Sequence, residues 1–312
     1  MLKISFFSKT CLLLLVGFPA ICQISNQNYR IYSTKLAKEV TLNELAENMK
    51  SADVLFFGEE HNDSVTHFLE IRMLELLHQK FPSAIALSLE MFDRDVQTVM
   101  NEYLAGSIRE KHFSKDARVW SNYKDYKPMV EFSKTNKISV ICANAAGRYS
   151  NLAGRKGQKG LTELPEESKK NFAPLPYDSA TRKYYEKLVA LTGHSTPSAT
   201  DTSAKKAPPV IQMGGFNLIM AQSLWDATMA FSIHQFLEKN KGKKVMHVNG
   251  RFHSDERFAA VDQLKKYAPK IRSLVVSALE DETFPNINWE NHKHLGDYII
   301  ITDPTVPKTY KD

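Results

Sequence analysis

Cysteine is scarce: positions 11, 22 and 142 hold the only three in 312 residues. Two of them fall in an N-terminal segment with the marks of a secretion signal. Lys3 and Lys9 precede the apolar run Cys11 to Phe18, and Ala20-Ile21-Cys22-Gln23 places small residues at the usual cleavage spacing. Removal of residues 1–22 leaves Cys142 alone, which excludes an internal disulfide and a cysteine-ligated metal cluster. Long apolar runs are missing too. The signal-like run falls short of the roughly 20 residues a spanning helix needs, and no later stretch reaches that length. The expectation is an exported chain, with a lipid anchor at Cys22 as an option although bulky Ile21 precedes it.

Clustered charge is also lacking. The net charge of +6 is scattered, without the basic face and interleaved aromatics of a nucleic-acid site, so no nucleic-acid partner is expected. Local basic patches remain that suit an acidic ligand. There is no H-E-x-x-H helix, no G-x-S-x-G elbow and no P-loop. Gly147, Gly154, Gly157 and Gly160 lack the strand before and helix after that a phosphate-binding fingerprint requires. No solenoid-type repeat is present.

What is present is alternation. Short β-branched runs at Asp53–Phe57, Ala84–Glu90, Ile138–Ala143, Lys244–Val248, Ser273–Leu279 and Tyr298–Thr302 alternate with longer helical patterns. That predicts an α/β fold, a mainly parallel sheet flanked by helices. Val65, Leu69, Met73, Leu76 and Leu77 mark one face of the first crossover helix, with Glu70, Arg72, Glu75 and Gln79 assigned to its other side. Residues 23–312 read as one domain with a smaller helical insertion at about 145–240, because the stretch between the third and fourth strands far exceeds a crossover. Within it, about 194–209 has the composition of a flexible linker, and Phe216–Lys239 reads as one long helix.

The chemistry collects behind the strands. "DVLFFGEEHNDSVTHF" runs from a strand into Gly58, Glu59, Glu60 and His61, and "KVMHVNGRFH" repeats the pattern with Gly250 and His253. Two other strands deliver Glu90 and Asn144, the latter followed by Arg148 and Tyr149. Ligands of parallel sheets bind beyond the carboxyl ends of the strands, so His61, Glu90, Asn144 and His253 are expected around one hollow. His67 lies six residues beyond His61, on the helix. Two histidines and a carboxylate suit a divalent metal such as Zn or Mn, and equally general acid-base work.

"LFFGEEHNDSVTH", "LSLEMFDRDVQ", "WSNYKDYKPMVEF", "VICAN", "AQSLWDATMA" and the late G-x-x-H, in this order, resemble the ChaN haem-binding uptake proteins. Their superfamily also holds the Tiki and TraB proteins and the erythromycin esterases. The resemblance implies an exported, non-enzymatic haem carrier of iron uptake, periplasmic or at the outer membrane, working with outer-membrane haem transport components. Haem would lie between two subunits of a homodimer, with a tyrosine on the iron and basic or histidine groups on the propionates. Carried over by motif, the site positions are Glu59, His61, His67, Glu90, Asn144, Asp226 and His253. The tyrosine falls outside these motifs; Tyr149, beside Arg148, is the candidate, with Tyr177, Tyr184 and Tyr185 as alternatives and Arg155 and Lys156 near enough to pair with propionates. The Tiki resemblance implies a second function, a metal-dependent hydrolase. In it His61, Glu90 and His253 hold the metal, or His61 acts as general base tuned by Glu59 or Glu60.

Overall fold

A computed structural model describes residues 24–178, 181–192, 212–213 and 216–311. The signal-like segment 1–22 and the linker at about 194–209 lie outside the described residues. The chain begins with β1 (Tyr29–Ser33), β2 (Lys38–Glu39), α1 (Leu42–Asn48), β3 (Val54–Glu59), α2 (Ser64–Lys80) and β4 (Ile85–Asp93). It continues through α3 (Gln97–Leu104), α4 (Glu110–Asp116), α5 (Tyr123–Thr135), β5 (Val140–Asn144), α6 (Gly147–Thr162), α7 (Glu166–Lys169) and α8 (Arg182–Thr192). After the two short strands β6 (Gln212–Met213) and β7 (Phe216–Asn217) come α9 (Leu218–Lys239), β8 (Lys244–Gly250), α10 (Ala259–Tyr267), β9 (Ser273–Glu280) and β10 (Tyr298–Thr302).

Eight strands form one sheet in the order β2-β1-β10-β9-β3-β8-β4-β5, and β6 pairs with β7 separately. The six strands from β10 to β5 run parallel; β1 lies antiparallel on β10 and β2 antiparallel on β1. The expected α/β architecture is therefore present, with an antiparallel edge that the sequence reading did not anticipate.

Both faces of the parallel part are covered, as such sheets require. Successive residues of β3 point to opposite faces. Leu55 and Phe57 join α2 and α5 through Leu69, Met73, Leu77, Tyr126 and Val130. Val54 and Phe56 meet Met229, Ala230 and Ile233 of α9 and Ala260 and Leu264 of α10. Asp63 caps α2, its side chain accepting from the Val65 amide at 2.8 Å, and Thr302 of β10 donates to the same carboxylate at 2.7 Å. The turn out of β3 is thus tied to the last strand. Among the described residues no helix is long and apolar enough to cross a membrane.

Two boundaries matter for the site. Strand β4 continues to Asp93 rather than ending at Glu90, and its register against β5 breaks between Leu89 and Asp93. Such irregularities re-aim side chains near the end of a strand. In α2, Glu70 is fully buried, not on the polar side assigned to it.

Candidate functional site at the carboxyl ends of the strands

Strands β3 and β8 are neighbours in register, Gly58 opposite Asn249 and Glu59 opposite Gly250, so the two G-x-x-H turns start side by side. They pack without space for side chains on their glycines. A Cβ on Gly58 would lie 2.9 Å from the Arg251 Cα, and one on Gly250 would lie 2.7 Å from His61 Nε2. Gly250 has φ of −54°, so it is needed for room and not for backbone freedom.

The first turn builds one polar group. His61 Nδ1 bonds to Glu59 Oε1 at 2.8 Å, and the Tyr126 hydroxyl donates to the same oxygen at 2.7 Å. Trp120 stands edge-on to the His61 ring at 5.4 Å. The Glu59 side chain is wholly buried, whereas that of His61 is 35% exposed, making it the open member. Behind it, His67 Nε2 lies 3.1 Å from the His61 carbonyl, and Nδ1 faces Glu59 Oε2 at 3.1 Å and Glu70 Oε2 at 3.2 Å.

Charge is distributed accordingly. Burial pushes the Glu59 carboxyl up, but the hydrogen bond from His61 and the adjoining His67 outweigh it and hold Glu59 below the usual carboxylate range. Burial opposes charge on His67 as well, and the adjoining Glu59 and Glu70 overcome that and raise it to about 11. Glu70, buried and facing Glu59, is held well above the carboxylate range. His61 is raised, its burial outweighed by the Glu59 bond, with further help from Glu90.

The second turn builds another group. Glu90 Oε2 accepts the Gly250 amide at 2.7 Å, and its Oε1 lies 3.5 Å from His253 Nε2. His253 Nδ1 meets Asp226 Oδ1 of α9 at 2.6 Å. The Tyr184 hydroxyl of α8 adjoins Asp226, and burial followed by the nearby carboxylates keeps that phenol neutral. Despite burial, Glu90 and Asp226 raise His253 to about 9. Burial raises Asp226 in spite of His253. Beneath, His247 bonds Ser88 at 2.9 Å; burial and the neighbouring His253 lower it to about 3, so it stays neutral.

The structure brings together Glu59, His61 and His67 on one side and Glu90, His253 and Asp226 on the other, joined where His61 rests on Gly250. Glu60 is half-buried outside this pairing, facing Arg251. Asn144 is buried, but its side chain caps its own neighbour, accepting the Ala145 amide at 2.9 Å. Tyr149 is 5% exposed in a separate apolar cluster with Phe172 and Leu161. Arg148 donates to its hydroxyl at 3.1 Å, lies over its ring, and pairs with Asp95 at 2.5 Å. Tyr184 and Tyr185 lie in another apolar cluster with Phe252. Arg155 and Lys156 are exposed on α6.

His61, Glu90 and His253 were the expected metal set. Among the described residues, the group of three ligand atoms within 4.8 Å of one another is instead Glu59, His67 and Glu70. Sequence reasoning missed Glu70, Tyr126 and Asp125. A signal existed for Glu70, since it shares with His67, Leu74 and Leu77 a stripe at spacings of three and four.

Comparison with known proteins adds the following. The family model described as "Haem-binding uptake, Tiki superfamily, ChaN" matches residues 45–264. No curated protein matches the chain by sequence. The structure "Cofacial heme binding to ChaN of Campylobacter jejuni" superposes with a TM-score of 0.63 at 16% identity, covering 89% of this chain and 98% of that one. An erythromycin esterase, EreC, in its open conformation gives 0.44 at 9% identity, covering 88% and 83%. A toxin effector domain from Vibrio vulnificus gives 0.41 at 14% identity, covering 78% of this chain and 37% of that one.

Proposed function

The chain belongs to the haem-binding uptake family ChaN of the Tiki superfamily, and on that premise we propose that it is an exported, non-enzymatic haem carrier. The match over residues 45–264 carries the reading. In it the chain works at the periplasmic side or the outer membrane, as a homodimer that passes haem to outer-membrane transport components.

The donor set around Tyr149 suits this group. Its phenol oxygen already receives a guanidinium hydrogen bond from Arg148, and Ala145, Ala146, Leu152 and Phe172 supply apolar wall beside it. Among the described residues the Tyr177 hydroxyl in the same cluster is buried without a hydrogen-bond partner, a second unspent phenol. When bound, ferric haem supplies a hard Lewis-acidic iron that a phenolate stabilises in the oxidised state. Tyr149 holds that position in the reading, and Arg148, Arg155 and Lys156 offer charge to the propionates. Asn171 also reaches the same hydroxyl, at 3.5 Å.

Titrating ferric haem into the purified protein tests the proposal. Wild type is expected to develop the visible charge-transfer band of ferric tyrosinate haem, and Tyr149→Phe to lose it. Wild type without such a spectrum sinks carriage by a tyrosine; a band retained in Tyr149→Phe moves the ligand to Tyr177, Tyr184 or Tyr185.

One observation favours a second reading. His61 is partly open, oriented by a buried carboxylate and backed by a second histidine–carboxylate pair, which is how a general base is held. A hydrolase of the esterase or metal-dependent protease type would use it so. His61→Ala is then expected to abolish peptide or ester turnover by the purified protein; unchanged turnover removes the reading.

A further inference from the structure

Behind His61, Glu59, His67 and Glu70 form a concentrated buried arrangement of charge. His67 Nε2 lies 3.1 Å from the His61 carbonyl, which can only accept, so Nε2 carries a proton. The neutral ring then aims the Nδ1 lone pair at Glu59 Oε2 and Glu70 Oε2, 3.1 and 3.2 Å away. Both carboxylates are fully buried, and three lone-pair donors facing one another away from water require a cation among them. Two arrangements satisfy this: protons on Nδ1 and on one of the carboxyl groups, or a metal ion.

Further features favour the metal. Ligand bonds of about 2.0–2.1 Å in a tetrahedron set the ligand atoms about 3.4 Å apart, close to the separations here. Glu59 Oε2 and Glu70 Oε1 accept no hydrogen bond of proper geometry; the His67 N–H direction serves Glu70 and leaves Glu59 off-axis. Asp125 Oδ2, 3.9 Å from His67 Nε2, is also buried and unpartnered. The surroundings match as well: Nε2 rests on a backbone carbonyl, as metal-bound histidines rest, and Tyr126 and His61 fix the other oxygen of Glu59.

We propose that Glu59, His67 and Glu70 form a site for a divalent transition-metal ion of the Zn2+ or Mn2+ class. Such an ion clamps α2 to the end of β3 and sets the orientation of His61 through their common partner Glu59. The proposal is independent of haem carriage and differs from a metal on His61, Glu90 and His253.

The test uses the full mature protein, stripped with chelator and reloaded with Zn2+, Mn2+ or Co2+. Wild type is expected to retain about one ion per chain and, with Co2+, to show the d–d bands of a low-symmetry site. Glu70→Gln keeps the shape of the side chain and is expected to lower occupancy at least tenfold, whereas Glu90→Gln retains the wild-type endpoint. A wild type that holds no ion overturns the proposal, as does a Glu70→Gln protein that holds as much. Should Glu70→Gln fail to fold, Glu90→Gln decides: loss of the ion there places the metal on the other histidine and also overturns it. Haem titration of the same preparations reads the carrier function separately.

Discussion

At His253 two buried carboxylates outweigh the cost of burying an imidazolium. Its value rises from 6.5 to about 9, opposed by burial and driven by Glu90 and Asp226. A group whose value is raised on folding contributes stability that is complete below the unfolded value and lost as pH climbs through the folded one. The His253 contribution to stability is therefore expected to fall between about pH 6.5 and 9 by on the order of 2 kcal/mol, measured as the difference between wild type and His253→Asn in urea denaturation at a series of pH values. His253→Asn is expected to be less stable at pH 6.5, because Glu90 and Asp226 lose their cation, and to fall less steeply across that window, the remaining slope belonging to His67 and His61, which are also raised. A variant that keeps the wild-type slope removes His253 as its source. Much of this site was legible. The strand-glycine-histidine pattern located His61 and His253, and a carboxylate near the end of a buried strand located Glu90. Glu70 was misjudged, and the surroundings of Tyr149 were not foreseen, for different reasons. Sequence gives no sign that Arg148 and Phe172 close over Tyr149, and Glu70 follows a hydrophobic face that a charged side chain joins only because His67 and Glu59 wait there.

At the scale of the element, α6 contains a contest between propensity and packing. Gly154 sits on its buried face, and a Cβ there would meet the Phe216 ring of β7 at 2.1 Å. An alanine in place of glycine inside a helix normally gains about 1 kcal/mol. Crowding a ring in a closed contact costs about 1–3 kcal/mol. Gly154→Ala is thus expected to lower stability by up to about 2 kcal/mol in chemical denaturation, and a gain instead would show that Phe216 moves aside freely. The same segment explains why the middle of the chain was hard to read. The run Gly154–Lys170 is polar and glycine-rich, with a break at Gly157, where φ is +63°. Its apolar stripe is too sparse to show as a helix without the partner α9 that buries Ala153 and Leu161 beside Leu224 and Ala227.

For the whole molecule, the parallel strands could be read from local composition because each is buried on both faces. The antiparallel edge could not. Strand β1 contains Tyr29, Arg30 and Tyr32, and it becomes a strand by pairing with β10, some 270 residues later, so its signal is non-local. The chain end depends on the same kind of distant contact. After β10 the tail runs back over the turn that carries His61: the Thr309 amide donates to the Asn62 carbonyl at 2.9 Å, Ser64 donates to the Pro307 carbonyl at 2.7 Å, and Lys124 reaches the Thr309 carbonyl at 3.0 Å. Val306 is buried in the main core. Hydrogen bonds of about 1 kcal/mol each and a buried valine of about 1.5 kcal/mol make the tail worth on the order of 4 kcal/mol. Deleting residues 303–312 is expected to lower the unfolding free energy by that amount in chemical denaturation. It is also expected to speed amide exchange at residues 61–64 before the core strands respond, because that turn then loses its bonds to the tail and keeps only the Asp63 link to Thr302 and the contacts of His61. Exchange that quickens uniformly over the sheet would instead show that the tail stabilises the fold as a whole and leaves the His61 turn to its own contacts.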